Sequence, residues 1–138
     1  MPAALKEYGR RTDSGRAAAG EVGIVIHRDP DTVRAADVLY ISQERYALRG
    51  SSGYLDIAPE LVVEVLSPDD CWSEVTAKIA DYFSIGVDRV WLADPMRRRL
   101  FAYRSPTEAM ELREGDVLAD EDLLPSFALP LDELFRGA

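Results

Sequence analysis

The segment LVVEVLSPDD places one carboxylate, Glu64, inside an otherwise unbroken apolar run. A period-two reading puts Val62, Glu64 and Leu66 on one face and Leu61, Val63 and Val65 on the other. Both faces are apolar, which predicts a central strand. A buried ionised carboxylate is costly unless it meets a cation, a metal or several donors. Glu64 is therefore either a site residue or half of a buried ion pair with a basic partner.

Two further residues form a chemical unit with it. Asp37 opens the apolar segment DVLYI, where an aspartate alone reads equally well as a turn residue satisfying nearby backbone donors. Lys78 is one of only two lysines among the sixteen basic residues. On a helix expected over about Ser73 to Ser84, Val75, Ile79, Tyr82 and Phe83 form the apolar stripe. Lys78 lies at the margin of that stripe, where its ammonium can turn toward the sheet or snorkel to water. Two carboxylates on neighbouring strands can hold a hard divalent ion, Mg²⁺ or Mn²⁺, which polarises a phosphoryl oxygen and acidifies a bound water. A lysine beside them complements developing negative charge. That is phosphodiester chemistry.

The elements that must position these residues follow from the pattern. A helix is expected near Pro2 to Arg11, then a Gly-rich turn, a strand near Glu21 to His27 and an RDPD loop. The Asp37 strand comes next, then a short polar helix or turn over Gln43 to Arg49, the SSGYLD loop and the Glu64 strand. Ser73 is a plausible N-cap for the Lys78 helix, and Gly86 ends it. VDRVWLAD and RLFAYR read as a hairpin around DPMRR, ahead of a last short strand and an LDELF turn of helix.

Composition narrows the alternatives. The chain has 138 residues, 47% hydrophobic and 30% charged, which suits one domain over residues 1–138. No apolar run is long enough to span a bilayer and no secretory signal is evident, so a cytoplasmic protein without a membrane partner is expected. Cys71 is the sole cysteine and His27 the sole histidine, excluding a disulfide, a cysteine cluster and a multi-histidine site. There is no G-x-S-x-G elbow, P-loop or dinucleotide fingerprint. Asp69 and Asp70 read as solvated groups ahead of a helix N-terminus. The net charge of −9 opposes tight nucleic-acid binding at long range. Arg97, Arg98 and Arg99 form the one basic run.

The stretches RAADVLYIS, PELVVEVLSPDD, KIADYFSIGVDRVWLADPMRRRLFAYR and LLPSFALPLDELF occur in an order that resembles the Uma-two group of bacterial restriction-endonuclease-like proteins, within the PD-(D/E)XK nuclease superfamily. The resemblance runs from about Gly20 to Phe135. It implies an α/β fold with a mixed central sheet flanked by helices. It also implies that Asp37 is the motif aspartate, Glu64 the motif glutamate and Lys78 the motif lysine displaced onto the following helix, since Leu66 occupies the usual lysine position. Asp37 and Glu64 would then be the Mg²⁺ (or Mn²⁺) ligands of a nuclease, and nucleic acid, first of all DNA, its partner. A homodimer follows by family analogy, because cutting both strands of a duplex usually needs two sites.

Two departures from the family pattern accompany the match. Ala36 stands where the family usually has proline. Family members also begin with a longer segment carrying a helix and another glutamate, whereas this chain opens at MPAALKEYGRR, so a fold short of that first helix is expected. Neither Glu7 nor Glu21 matches that glutamate's motif. The alternative reading is a non-catalytic, degenerate nuclease fold serving as an oligomeric or interaction module, with the three residues kept as a buried salt-bridged triad.

Overall fold

The computed structural model describes residues 1–28, 31–50 and 53–136, so parts of the expected RDPD and SSGYLD loops lie outside the described residues. A first helix, α1 (Pro2–Thr12), leads into two long strands, β1 (Gly15–His27) and β2 (Thr32–Ser42). The short helix α2 (Gln43–Ala47) precedes β3 (Leu61–Val65), and α3 (Trp72–Ser84) crosses over to β4 (Arg89–Asp94). The chain continues through β5 (Arg99–Ser105), β6 (Glu108–Arg113), a small β7 (Val117–Leu118) and β8 (Leu129–Pro130) pair, and α4 (Leu131–Leu134).

The first six strands form one sheet in sequence order. Every neighbouring pair is antiparallel except β3 and β4, which α3 joins as a parallel crossover. β3 is therefore interior, as its two apolar faces require. Leu61 and Val63 pack with α1 and the C-terminal segment. Val62 packs on the opposite face with Ile79 and Tyr82 of α3. The alternation reaching Glu64 thus aims its carboxylate toward α3.

Several elements depart from the sequence expectation. The alanine and glycine stretch expected as a turn belongs to β1, because antiparallel pairing with β2 from Gly15 opposite Ser42 onward satisfies its backbone. Asp37 lies within β2 rather than at its start. β6 was not anticipated: its sequence EAMELR is largely exposed and offers little apolar alternation to read. The N-cap of α3 is Cys71, not Ser73, since the Cys71 carbonyl already accepts from Glu74 and Val75. Gly86, in the left-handed region at φ 104°, does follow the end of α3.

The layer opposite α3 is closed by contacts between the two ends of the chain. Leu5 is fully buried, and the Tyr8 hydroxyl donates to the Pro125 carbonyl at 2.8 Å. The Tyr8 ring meets Phe127 edge to face at 5.6 Å, and Phe127 stacks on Trp91 of β4. Leu5→Ala should cost about 2–5 kcal/mol, because the surrounding aromatic layer cannot collapse into the vacated volume. Urea unfolding of the two proteins measures the difference, and a loss below about 1 kcal/mol would show that α1 is not integral to the core.

Candidate active site

The β2–β3 ladder ends with Val38 opposite Val63, and the next two residues, Asp37 and Glu64, take its place. Their side chains bond to the other strand's backbone in exchange. The Asp37 N–H donates to Glu64 Oε2 at 3.0 Å, and the Val65 N–H donates to Asp37 Oδ2 at 2.7 Å. Two backbone donors that a splaying sheet would leave unpaired are answered by carboxylates. The pair is thereby fixed at the carboxyl end of β3, where the parallel crossover opens the sheet.

Lys78 completes the arrangement. Its Nζ lies 2.5 Å from Glu64 Oε1, and the Tyr82 hydroxyl donates to the same oxygen at 3.2 Å. Lys78 and Tyr82 are four residues apart and so project from one face of α3. The glutamate residue is only 5% exposed, whereas the lysine side chain keeps 29% of its surface. The ammonium thus spans the boundary between core and water. All three residues singled out in the sequence come together in one open cleft of about 520 Å³.

A β-bulge explains how β2 presents its residues to that cleft. Between Ala19 opposite Val38 and Val22 opposite Ala36, Gly20 and Glu21 of β1 face the single residue Asp37. Both bulge residues are in the left-handed region, at φ 88° and 60°. Gly20 accepts that conformation without cost, while Glu21 does not. Beyond the bulge the alternation of β2 changes phase: Leu39 and Ile41 face α3, and so does Ala36. Arg34, in phase with Ala36, also reaches α3 and bonds to Asp81. Arg34 and Asp37, three residues apart, would face opposite ways in a regular strand, yet both line the cleft.

Glu21, set aside in the sequence reading, also forms part of the cleft wall, as do Asp70, Glu74 and Cys71. Their positions depend on the bulge and on the loop before α3, which no local periodicity encodes. Cys71 is exposed, and hydrogen bonding with Ser73 lowers its thiol below the ordinary value. The Arg97 to Arg99 run sits away from the cleft, and each of its arginines pairs with an acid: Arg97 and Arg99 with Asp94, Arg98 with Glu114.

Burial is the dominant influence on Glu64 and holds its carboxyl above the ordinary 4.5; Lys78 and the Asp37 N–H pull it down without cancelling that effect. Burial, and then Glu64 itself, keep the Tyr82 hydroxyl protonated and so a donor. A carboxylate reluctant to ionise gains from an added cation. Asp37 Oδ1 takes no hydrogen bond among the described residues, and Glu64 Oε2 takes only the Asp37 N–H. No group of three His, Cys, Asp or Glu side chains among the described residues forms a ready metal cluster. Mg²⁺ commonly binds through one or two carboxylates and keeps several waters, so the pair fits such an ion.

Comparison with known proteins gives a consistent picture. The family model Uma2, described as "Putative restriction endonuclease", matches residues 2–132. No curated protein matches the chain. A crystal structure from Anabaena variabilis, described as "a putative nuclease belonging to DUF820", superposes with a TM-score of 0.83 at 21% identity, covering 98% of this chain and 75% of that one. At that identity the superposition establishes the mixed α/β fold. No helix among the described residues is long and apolar enough to cross a membrane.

The raised Glu64 carboxyl fixes a pH dependence for the metal-free protein. The folded state binds this proton more tightly than the unfolded chain, so the associated stability is full below 4.5 and is lost as pH rises through the raised value. Glu64→Gln removes the titration while keeping an acceptor for Tyr82. Denaturant unfolding from about pH 4 to about pH 7 should therefore show the variant gaining on the wild type as pH rises. A difference that stayed flat, or tilted the other way, would mean that the ion pair with Lys78 outweighs burial.

Proposed function

This chain belongs to the Uma2 family, and we propose that it is a divalent-metal-dependent nuclease hydrolysing phosphodiester bonds, with Asp37 and Glu64 as the metal ligands and Lys78 as the charge-stabilising residue. The observation that carries this reading is the cleft-facing set itself: two carboxylates locked against each other's strands, with an ammonium on one of them. When bound there, Mg²⁺ or Mn²⁺ supplies polarisation of the phosphoryl group and a more acidic water.

The chain's own residues do the rest. The Val65 and Asp37 N–H groups hold one oxygen of each carboxylate, which fixes the orientation of the remaining lone pairs. Tyr82 and Lys78 hold Glu64 Oε1, directing Oε2 to the Asp37 side. Lys78 has two more N–H groups to offer, and its partial exposure lets them meet a phosphate oxygen and an attacking water. DNA is the substrate we propose, and two copies of the chain the unit that cuts a duplex, since each cleft provides one hydrolytic site.

The three donors already on Glu64 also suit a second reading, in which the triad is a structural ion pair in a non-catalytic nuclease fold. The two readings diverge on metal. In the nuclease reading, titration calorimetry shows saturable Mn²⁺ binding to the wild type and none to Glu64→Gln. Metal-dependent cleavage of single-stranded or duplex DNA then falls by at least about a hundredfold in Glu64→Gln and in Lys78→Met, with both variants folded. Equal metal uptake by wild type and Glu64→Gln, or wild-type protein that neither binds Mn²⁺ nor cuts DNA, would establish the structural triad instead.

A further inference from the structure

We infer that Arg34 binds a backbone phosphate of the nucleic-acid substrate beside the one being cleaved; this deepens the nuclease reading and rests on it. The reasoning begins with the charges of the cleft. Its wall carries the carboxylates of Glu21, Asp37, Glu64, Asp70 and Glu74. Against them stand two cations, Arg34 and Lys78. Lys78 is engaged by Glu64 within the site. Arg34 is engaged from behind, by Asp81 of α3, which does not line the cleft.

That contact uses one edge of the guanidinium. Arg34 Nε and Nη2 both lie on Asp81 Oδ2, at 2.9 and 2.8 Å. Nη1 has no acid partner among the described residues, and the side chain retains 34% of its surface. An aspartate holding one edge orders the group and leaves the other for a second anion. The bulge opposite Asp37 supplies the remaining condition, because without its phase change Arg34 would point to the other side of the sheet. A left-handed pair in β1, strained at Glu21 alone, thus has a geometric result: the arginine stands in the same cleft as the carboxylates.

The acceptor must be an anion that tolerates, and is held near, a carboxylate-rich wall. A phosphodiester backbone meets that description because its successive phosphates can be shared between a metal, Lys78 and Arg34. An isolated carboxylate ligand has one charge and cannot be shared in this way. Arg34 would then contribute to substrate affinity more than to the chemical step.

The test uses a fluorescein-labelled single-stranded DNA oligonucleotide, read by anisotropy with Mg²⁺ present, and the full chain carrying Lys78→Met, which prevents cleavage and leaves both metal ligands in place. Adding Arg34→Gln should weaken binding about tenfold at low salt and make the plot of log affinity against log salt shallower by about 0.7. Arg34→Lys should recover part of the affinity, since the charge remains, while Asp81→Asn should change it little. In otherwise wild-type protein, Arg34→Gln should raise KM and leave kcat nearly unaltered. Unchanged affinity and salt slope in a folded Arg34→Gln protein would reduce the residue to a clip between β2 and α3, and so would oligonucleotide binding too weak to detect in the parent. Cleavage that is indifferent to Arg34 sinks this inference alone. Arg34-dependent binding without any cleavage sinks the nuclease reading alone.

Discussion

The placement of one buried carboxylate governs the architecture around it. Glu64 is almost withdrawn from water, and three donors from two elements answer it: a backbone N–H of β2, and a lysine and a tyrosine of α3. Each donor carries a structural requirement. β2 must separate from β3 just past Val38, and α3 must return over the sheet in the phase that puts positions 78 and 82 underneath. The parallel β3–β4 crossover is what sends α3 across that face. An apolar residue at position 64 would fit the same sheet without those donors, so the carboxylate is an expense that core packing alone does not explain.

Glu64 and Lys78 were legible in the sequence because each obeys a short-range period, alternation in the strand and the 3.6-residue repeat in the helix, whereas Asp37, which alone read as a turn residue, was reached through the family resemblance. Lys78 stood out as a lysine at the edge of an apolar stripe, and helical phase alone allowed it to face the sheet. Arg34 and Glu21 were not legible. Their inclusion depends on one extra residue in β1, and a strand read by itself gives no sign of where its neighbour is irregular. β6 escaped for a different reason: an edge strand with one half-covered side has almost no hydrophobic alternation to detect. The N-cap shifted from Ser73 to Cys71 because the loop's own backbone turn, and not a side-chain acceptor, begins the helix.

Charge is managed in pairs over much of this acidic surface. The basic run at the β4–β5 turn is the one concentration of positive charge in the sequence, and its guanidinium groups are turned to Asp94, Glu111 and Glu114. The Arg98–Glu114 pair is exposed and adds little stability, whereas Asp94 is buried beneath Arg97 and Arg99; in both cases the pairing removes the patch from the exterior field. For the nucleic-acid substrate proposed above, attraction would then be left to short-range contacts inside the cleft. With a net charge of −9 the overall field repels phosphate, so such a substrate would be rewarded at only a few positions.

The contact between Tyr8 and Pro125 bridges almost the full length of the chain, and the parallel pair requires a helical crossover, whereas β4, β5 and β6 form a local meander. Loop-closure entropy therefore favours the meander early, and the junction of β2, β3 and α3 late. On a ribosome, the layer opposite α3 stays open until Pro125 and Phe127 have emerged, after the residues that gather around Glu64 have all been synthesised. Closure of the sheet's second face would accordingly wait on the segment around Pro125 and Phe127, long after the residues of the cleft are in place in the chain.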